Sequence, residues 1–264
     1  MPTLVHDDDR PALRYGPNRD EARASKPPSA DRQNNDECWM NEAIELARDM
    51  QGLVWPNPAV GCVIVNDGRI VGRGRTQYGG RPHAERVALN QAAGHAPGST
   101  LYVTLEPCCH WGKTPPCVDA IIAAGVCRVV ASLQDPDPRV NGGGFRKLRQ
   151  AGIKVEVGPG AEEARETMAG FFHRIATGRP LVEIGERALA PSSIPRGFDA
   201  VVQSGERKLW LLTRGRRGET FAEGLEGLND TFALLDQLGT RGLTRVYVSS
   251  SDPFAERLMT GAHA

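Results

Sequence analysis

The sequence predicts an α/β protein with a mixed sheet covered by helices on both faces, and three observations predict it. Two strand-like runs, 60–65 and 69–74, flank Asn66-Asp67-Gly68, whose Asp-Gly pair suits a tight turn between antiparallel strands. After them, short apolar runs alternate with stretches of good helix formers, the order that lays helices across a sheet. Before them, Met40, Ala43, Ile44, Ala47 and Met50 recur at helical spacing, which predicts an amphipathic helix over 39–51.

The other elements follow in order. A helix over 84–93 starts behind Pro82, which a first turn tolerates, and stops at Gly94. A buried strand is expected at 100–105. A helix over 118–124 begins near Cys117 and stops at Gly125, and a strand at 126–133 follows. A short helix at 145–151, a strand at 153–157 and one long helix over 161–177 complete this part. Beyond Pro180 the pattern thins to a strand at 209–213, a helix at 231–238 and a strand at 246–249. Residues 1–36, rich in Asp, Arg, Pro and Asn without a period, are expected to form a disordered arm.

Composition sets mild bounds. The chain has 264 residues, with Lys plus Arg equal to Asp plus Glu at 32 each, so long-range attraction to nucleic acid is not expected. Six cysteines, with no charged start leading into an apolar segment, point to a reducing, cytoplasmic setting rather than a disulfide framework. The apolar stretches are too short to span a bilayer, so no membrane partner is expected.

The chemistry gathers in Pro82-His83-Ala84-Glu85 and in Cys108 and Cys117. One imidazole and two thiolates can hold a zinc ion and leave its fourth position open, the arrangement of a catalytic rather than a structural site. Water at such a position has its pKa lowered toward neutrality. Glu85, two residues from His83, is poorly placed to share ligation from one helix face and can move protons instead. Zinc deaminases carry His-x-Glu followed by Pro-Cys-x-x-Cys. Pro107-Cys108 fits that pattern, but eight residues rather than two separate Cys108 from Cys117. Taken singly, each residue has an ordinary reading: His83 as a helix-start histidine, Glu85 as a solvated acid at the positive helix end, the cysteines as small buried hydrophobes.

Five motifs in order narrow the reading. They are Pro56-Asn57-Pro58-Ala59-Val60-Gly61-Cys62-Val63-Ile64-Val65, then Pro82-His83-Ala84-Glu85, then Tyr102-Val103-Thr104-Leu105-Glu106-Pro107-Cys108. Gly112-Lys113-Thr114-Pro115-Pro116-Cys117 and Gln134-Asp135-Pro136-Asp137-Pro138 complete the set. Over about 40–180 the chain resembles the deaminase half of the bifunctional deaminase/reductase of riboflavin biosynthesis. The resemblance implies a cytidine-deaminase-like α/β/α sandwich. It implies zinc held by His83, Cys108 and Cys117, with Glu85 as proton shuttle. The implied reaction is hydrolytic deamination of a ribosylaminopyrimidine 5′-phosphate without an organic cofactor.

Substrate contacts are expected from Asn57, His110, Lys113, Asp135 and Asp137, with Lys113 and His110 toward the phosphate. Asp137 stands where the family has an amide, and its extra charge would weaken anion binding unless paired. Cys109 stands where the family has serine and could compete for metal. Asn141-Gly142-Gly143-Gly144 could cradle phosphate with backbone N–H groups, or serve only a turn. Cys38, Cys62 and Cys127 read as packing residues.

By this reading 37–180 is a deaminase domain and 181–264 a short, degenerate reductase-like α/β remnant. The family's Glu-Gly-Gly after the late strand is replaced by Ser249-Ser250-Ser251-Asp252, which hinders close approach of a dinucleotide. NADPH is therefore not expected, and reduction is expected to be lost. The remnant could bind a separate reductase or a second copy of the chain as a homo-oligomer. Two other readings stay open: deamination of another pyrimidine or purine derivative, and a non-catalytic zinc-bearing assembly protein.

Overall fold

The computed structural model describes residues 35–186, 193–206, 208–214, 220–225 and 230–261. The arm expected at 1–36 lies outside these residues except for Asn35 and Asp36, which open the first helix. In chain order the first half contains α1 (Asn35–Arg48), β1 (Gly61–Asn66), β2 (Arg69–Arg75), α2 (Ala84–Ala92), β3 (Thr100–Val103) and α3 (Cys117–Ala123). It continues with β4 (Arg128–Ala131), α4 (Gly143–Gln150), β5 (Lys154–Val157), α5 (Ala161–Thr167) and α6 (Ala169–Thr177). The second half contains β6 (Leu181–Gly185), β7 (Ala200–Ser204), β8 (Leu209–Arg214), β9 (Thr220–Leu225), α7 (Thr231–Thr240), β10 (Arg245–Ser249) and α8 (Pro253–Gly261).

The first sheet has five strands in the order β2-β1-β3-β4-β5. β1 runs antiparallel to both β2 and β3, whereas β3, β4 and β5 are parallel, so the sheet is mixed as expected. Because side chains alternate along a strand, β1 serves two cores. Cys62 and Ile64 join Leu101, Val103, Val129 and Ala131 beneath α2, α3 and α4. Val63 and Val65 join Trp39, Met40, Ala43 and Ile44 of α1 on the opposite face. Both faces are thus covered, which is why the strands read as nearly continuous apolar runs. Arg128 forks onto both oxygens of Asp36 at 2.9 and 2.6 Å and reaches Glu156 at 2.6 Å, tying the start of α1 to β4 and β5.

α2 rides directly on β2. A Cβ at Gly72 or Gly74 would lie 2.2 or 2.0 Å from the carbonyl oxygens of Ala88 and Ala84, so only glycine allows this approach.

The long helix expected over 161–177 is broken: Met168, at φ −108° and ψ 15°, separates α5 from α6. Thr167 turns its hydroxyl back to the Glu163 carbonyl at 2.8 Å, a bond that bends helices, and Met168 buries its side chain at the bend. The break seats Gly170 against the Thr244 carbonyl, 2.6 Å from where a Cβ would stand.

The region beyond Pro180 is larger than the three expected elements. Its five strands lie in the order β6-β10-β7-β8-β9, with β10 parallel to β6 and β7 and the β7-β8-β9 run antiparallel. A separate core of Ala200, Val202, Leu211, Leu234, Leu238 and Phe254 fills it. β9 escaped the sequence pattern because it is an edge strand with its first four residues exposed and no alternation. No helix among the described residues is long and apolar enough to cross a membrane.

Candidate active site

His83 caps the start of α2 in extended backbone, Glu85 sits in that helix's first turn, and Cys117 opens α3. Cys108 ends the segment that leaves β3, and its carbonyl accepts from Val118 N at 3.2 Å, which closes the long cysteine loop onto α3. Four side chains distant in sequence thereby meet. His83 Nδ1 lies 3.7 Å from Cys108 Sγ and 3.4 Å from Cys117 Sγ, and the three donor atoms fall within 4.8 Å of one another. A nitrogen and a sulfur sharing one tetrahedral zinc, with bonds of about 2.0 and 2.3 Å, lie about 3.5 Å apart. The donor set therefore fits a single small ion with one position left over.

Electrostatics agree with that use. Cys117 hydrogen-bonds the Cys108 sulfur, and this with the His83 contact brings the Cys108 thiol down to about 4, the range of a thiolate. Cys117 N also donates to that sulfur at 3.3 Å. The same bond and burial push Cys117 the other way. His83 is raised, chiefly by its bond to Cys108. Glu85 is only 4% exposed, and burial raises its carboxyl above the usual range.

The cluster opens into a cavity of about 830 Å³ lined by all five expected substrate residues: Asn57, His110, Lys113, Asp135 and Asp137. Asn57 is held against Gly80, where φ is +85° and a Cβ would stand 1.9 Å from the Asn57 amide nitrogen. His110 keeps a buried Nδ1 with no partner among the described residues. Lys113 is exposed at the rim. Asp135 is buried, which raises it to about 6, and its Oδ1 accepts from Asp137 N at 2.9 Å. The charge added by Asp137 is neutralised: its carboxylate takes Arg139 Nε at 2.9 Å and Nη2 at 2.5 Å and is held below the usual range by that pair.

Two open readings are resolved and one expectation needs correction. The glycines at 142–144 do not present free N–H groups, because the Glu106 carboxylate accepts from Gly142, Gly144 and Phe145 at 2.9, 2.8 and 3.1 Å. That site is therefore already occupied by the protein's own anion. Cys109 is not among the clustered donors; its sulfur points to the Arg139 carbonyl at 3.7 Å and lies beside Gly143. Of the three cysteines read as packing residues, Cys62 is buried, but Cys38 and Cys127 are exposed.

Sequence reasoning missed Glu106, although a carboxylate between an apolar strand and a proline is a visible anomaly. It also missed Arg139, Arg174 and Arg214, which line the cavity and carry no motif signal.

A His/Cys/Cys cluster beside a buried glutamate, at the helix ends of a mixed α/β/α sheet, defines a site of the cytidine and deoxycytidylate deaminase class. Residues 33–133 match that family's zinc-binding region. The riboflavin biosynthesis protein RibD of Escherichia coli is 54% identical over 149 residues, 56% of this chain and 41% of that protein. The diaminohydroxyphosphoribosylamino-pyrimidine deaminase of Buchnera aphidicola is 48% identical over 145 residues, which cover 55% of this chain and 99% of that one. Among solved structures, RibD of Acinetobacter baumannii superposes with a TM-score of 0.67 at 29% identity over 82% of this chain and 80% of that one. The deaminase/reductase of Thermotoga maritima does so at 0.66 and 30% identity over 82% and 81%. The chain belongs to the riboflavin-biosynthesis deaminase family. Its sequence match spans about two fifths of the length of the RibD proteins that it resembles.

Proposed function

We propose that the chain hydrolyses 2,5-diamino-6-ribosylamino-4(3H)-pyrimidinone 5′-phosphate, with water, to 5-amino-6-ribosylaminouracil 5′-phosphate and ammonia. The observation that carries this reading is the convergence of His83, Cys108 and Cys117 on one point, with Glu85 buried beside them. Zinc held by His83 Nδ1 and the two sulfurs supplies a Lewis acid and lowers the pKa of water toward neutrality. Glu85 takes one proton of the attacking water and delivers it to the ring nitrogen, then takes the second from the hydroxyl of the tetrahedral adduct and hands it to the departing amine as the carbonyl forms. Its burial suits it to hold a proton between those steps. Asn57 offers hydrogen bonds to the ring or ribose, and His110 and Lys113 stand toward the phosphate, Lys113 adding positive charge at the rim. The Asp137–Arg139 pair is neutral, so it does not oppose a phosphate in the cleft.

We also infer that reduction is lost. At the start of α8 the Asp252 carboxylate accepts from Ser204 N and Phe254 N, both at 2.8 Å, and from Ser204 Oγ at 2.6 Å. An anion built into that turn opposes a dinucleotide phosphate.

The test is ammonia release from the phosphorylated substrate by the zinc-loaded protein, with and without NADPH. Ammonia should form at the same rate in both, with no NADPH consumed. No ammonia from this substrate, or faster release from a different pyrimidine or purine, would sink the reading.

A further inference from the structure

The cavity wall opposite in sequence to the deaminase motifs comes from α6 and the second sheet, through Arg174 and Arg214. Both guanidinium groups are partly withdrawn from water, and in each the Nε is fully buried with no hydrogen-bond partner among the described residues. Among the described residues Arg174 reaches only the Pro56 and Gly239 carbonyls, at 3.4 and 3.5 Å, and burial works against its charge. Arg214 is oriented by the Ile194 carbonyl at 2.7 Å. Among the described residues neither is bonded to a carboxylate, whereas Arg139, on the same cavity, is neutralised by Asp137. A partly desolvated guanidinium without a counter-anion is costly, and its planar fork matches a phosphate.

We propose that the wall formed by α6 and the second sheet is the phosphate subsite of the cleft, with Arg214 and Arg174 as its ligands. This rests on reading the cleft as a site for a ribosylaminopyrimidine phosphate and deepens it. A phosphate monoester carries about −1.5 to −2 charges at neutral pH. Lys113, exposed at the rim, answers only part of that charge, and the two half-buried forks answer the rest. The region beyond Pro180 then has a task in deamination even where it performs no reduction. The pair also supplies specificity, since a nucleoside without the phosphate would leave both forks unmatched.

The decisive experiment has one arm that needs turnover and one that does not. In the first, Arg214→Ala raises KM for the phosphorylated substrate by about tenfold or more, and raises KM for its dephosphorylated nucleoside far less. Arg214→Lys, which keeps the charge, recovers part of the loss. In the second, zinc-loaded protein is titrated calorimetrically with ribose 5-phosphate. The parent binds it, and both Arg214→Ala and Arg174→Gln weaken binding by a similar factor while circular dichroism stays unchanged. Should one variant unfold, the other carries the measurement. Loss of ribose 5-phosphate binding upholds the subsite even if no pyrimidine is deaminated. Equal KM effects on nucleotide and nucleoside, or ribose 5-phosphate binding that is absent in the parent or equal in parent and variants, overturns it even if deamination is observed.

Discussion

Glu85 combines two properties that seldom coexist, a carboxyl buried in the first turn of α2 and a neighbouring cluster of ligand-type side chains that it does not join. Glu85→Gln keeps the shape and removes the exchangeable proton. Elemental analysis should find zinc retained, while kcat falls by a factor on the order of 10²–10⁴; near-normal turnover would remove Glu85 from the chemistry. Asp135 allows a separate test by titration. Its folded pKa of about 6 lies above the ordinary 3.8, so burial favours the protonated form in the folded state. The associated stability is fully present below the unfolded value and is lost as pH rises toward 6, on the order of 3 kcal/mol in all. Asp135→Asn keeps the acceptor for Asp137 N and removes the titration. The variant's urea midpoint, relative to the parent, should therefore improve between pH 4 and 6 and hold constant above. At this scale the ligand-type residues were legible because their spacing carries the chemistry. Glu106 was not, because its partners are backbone N–H groups that the loop after β4 and the start of α4 bring to it.

Glu106 also shows how an element is held in place. α4 has no side-chain cap of its own, and its first N–H groups are met by a carboxylate from the segment leaving β3. The same close approach puts Gly144 where a Cβ would stand 2.2 Å from the Pro107 carbonyl. The Pro107-Cys108 turn, and with it one sulfur of the cluster, is thus clamped between β3 and α4. Glu106→Gln turns an amide NH₂ toward donors and leaves at least one of them unpaired. It should cost about 2–4 kcal/mol by urea denaturation, and zinc should dissociate faster on chelator challenge. Unchanged chelation kinetics would show that the clamp does not reach Cys108. Most elements of the first sheet were legible, since β1, β3, β4 and α1 to α4 bury continuous or periodic apolar sets. The break between α5 and α6 was not, because it answers to Thr244, a residue in the other sheet.

The two sheets meet at the loop that carries Asn57. Trp55 packs against the second core, Arg174 bonds the Pro56 carbonyl, and Gly242 lies under the Pro56 ring, 2.7 Å from where a Cβ would stand. A sequence reading that treats the second half as a degenerate addition cannot see this, because none of these contacts follows from local periodicity. If the second sheet buttresses the cleft, disturbing the contact should change catalysis without touching the metal ligands. Gly242→Ala adds a methyl group against Pro56 at φ +94°. Gly197→Ala adds one at a nearly equal φ of +92°, with nothing within 4 Å. Both should lose about 1–2 kcal/mol from the left-handed backbone, and the urea midpoint of Gly242→Ala should fall further because Pro56 must also shift. Only Gly242→Ala should also displace the Pro56-Asn57-Pro58 loop, lowering kcat/KM by about tenfold with zinc content unchanged. Equal kcat/KM in the two variants would mean that the loop keeps its place without the second sheet.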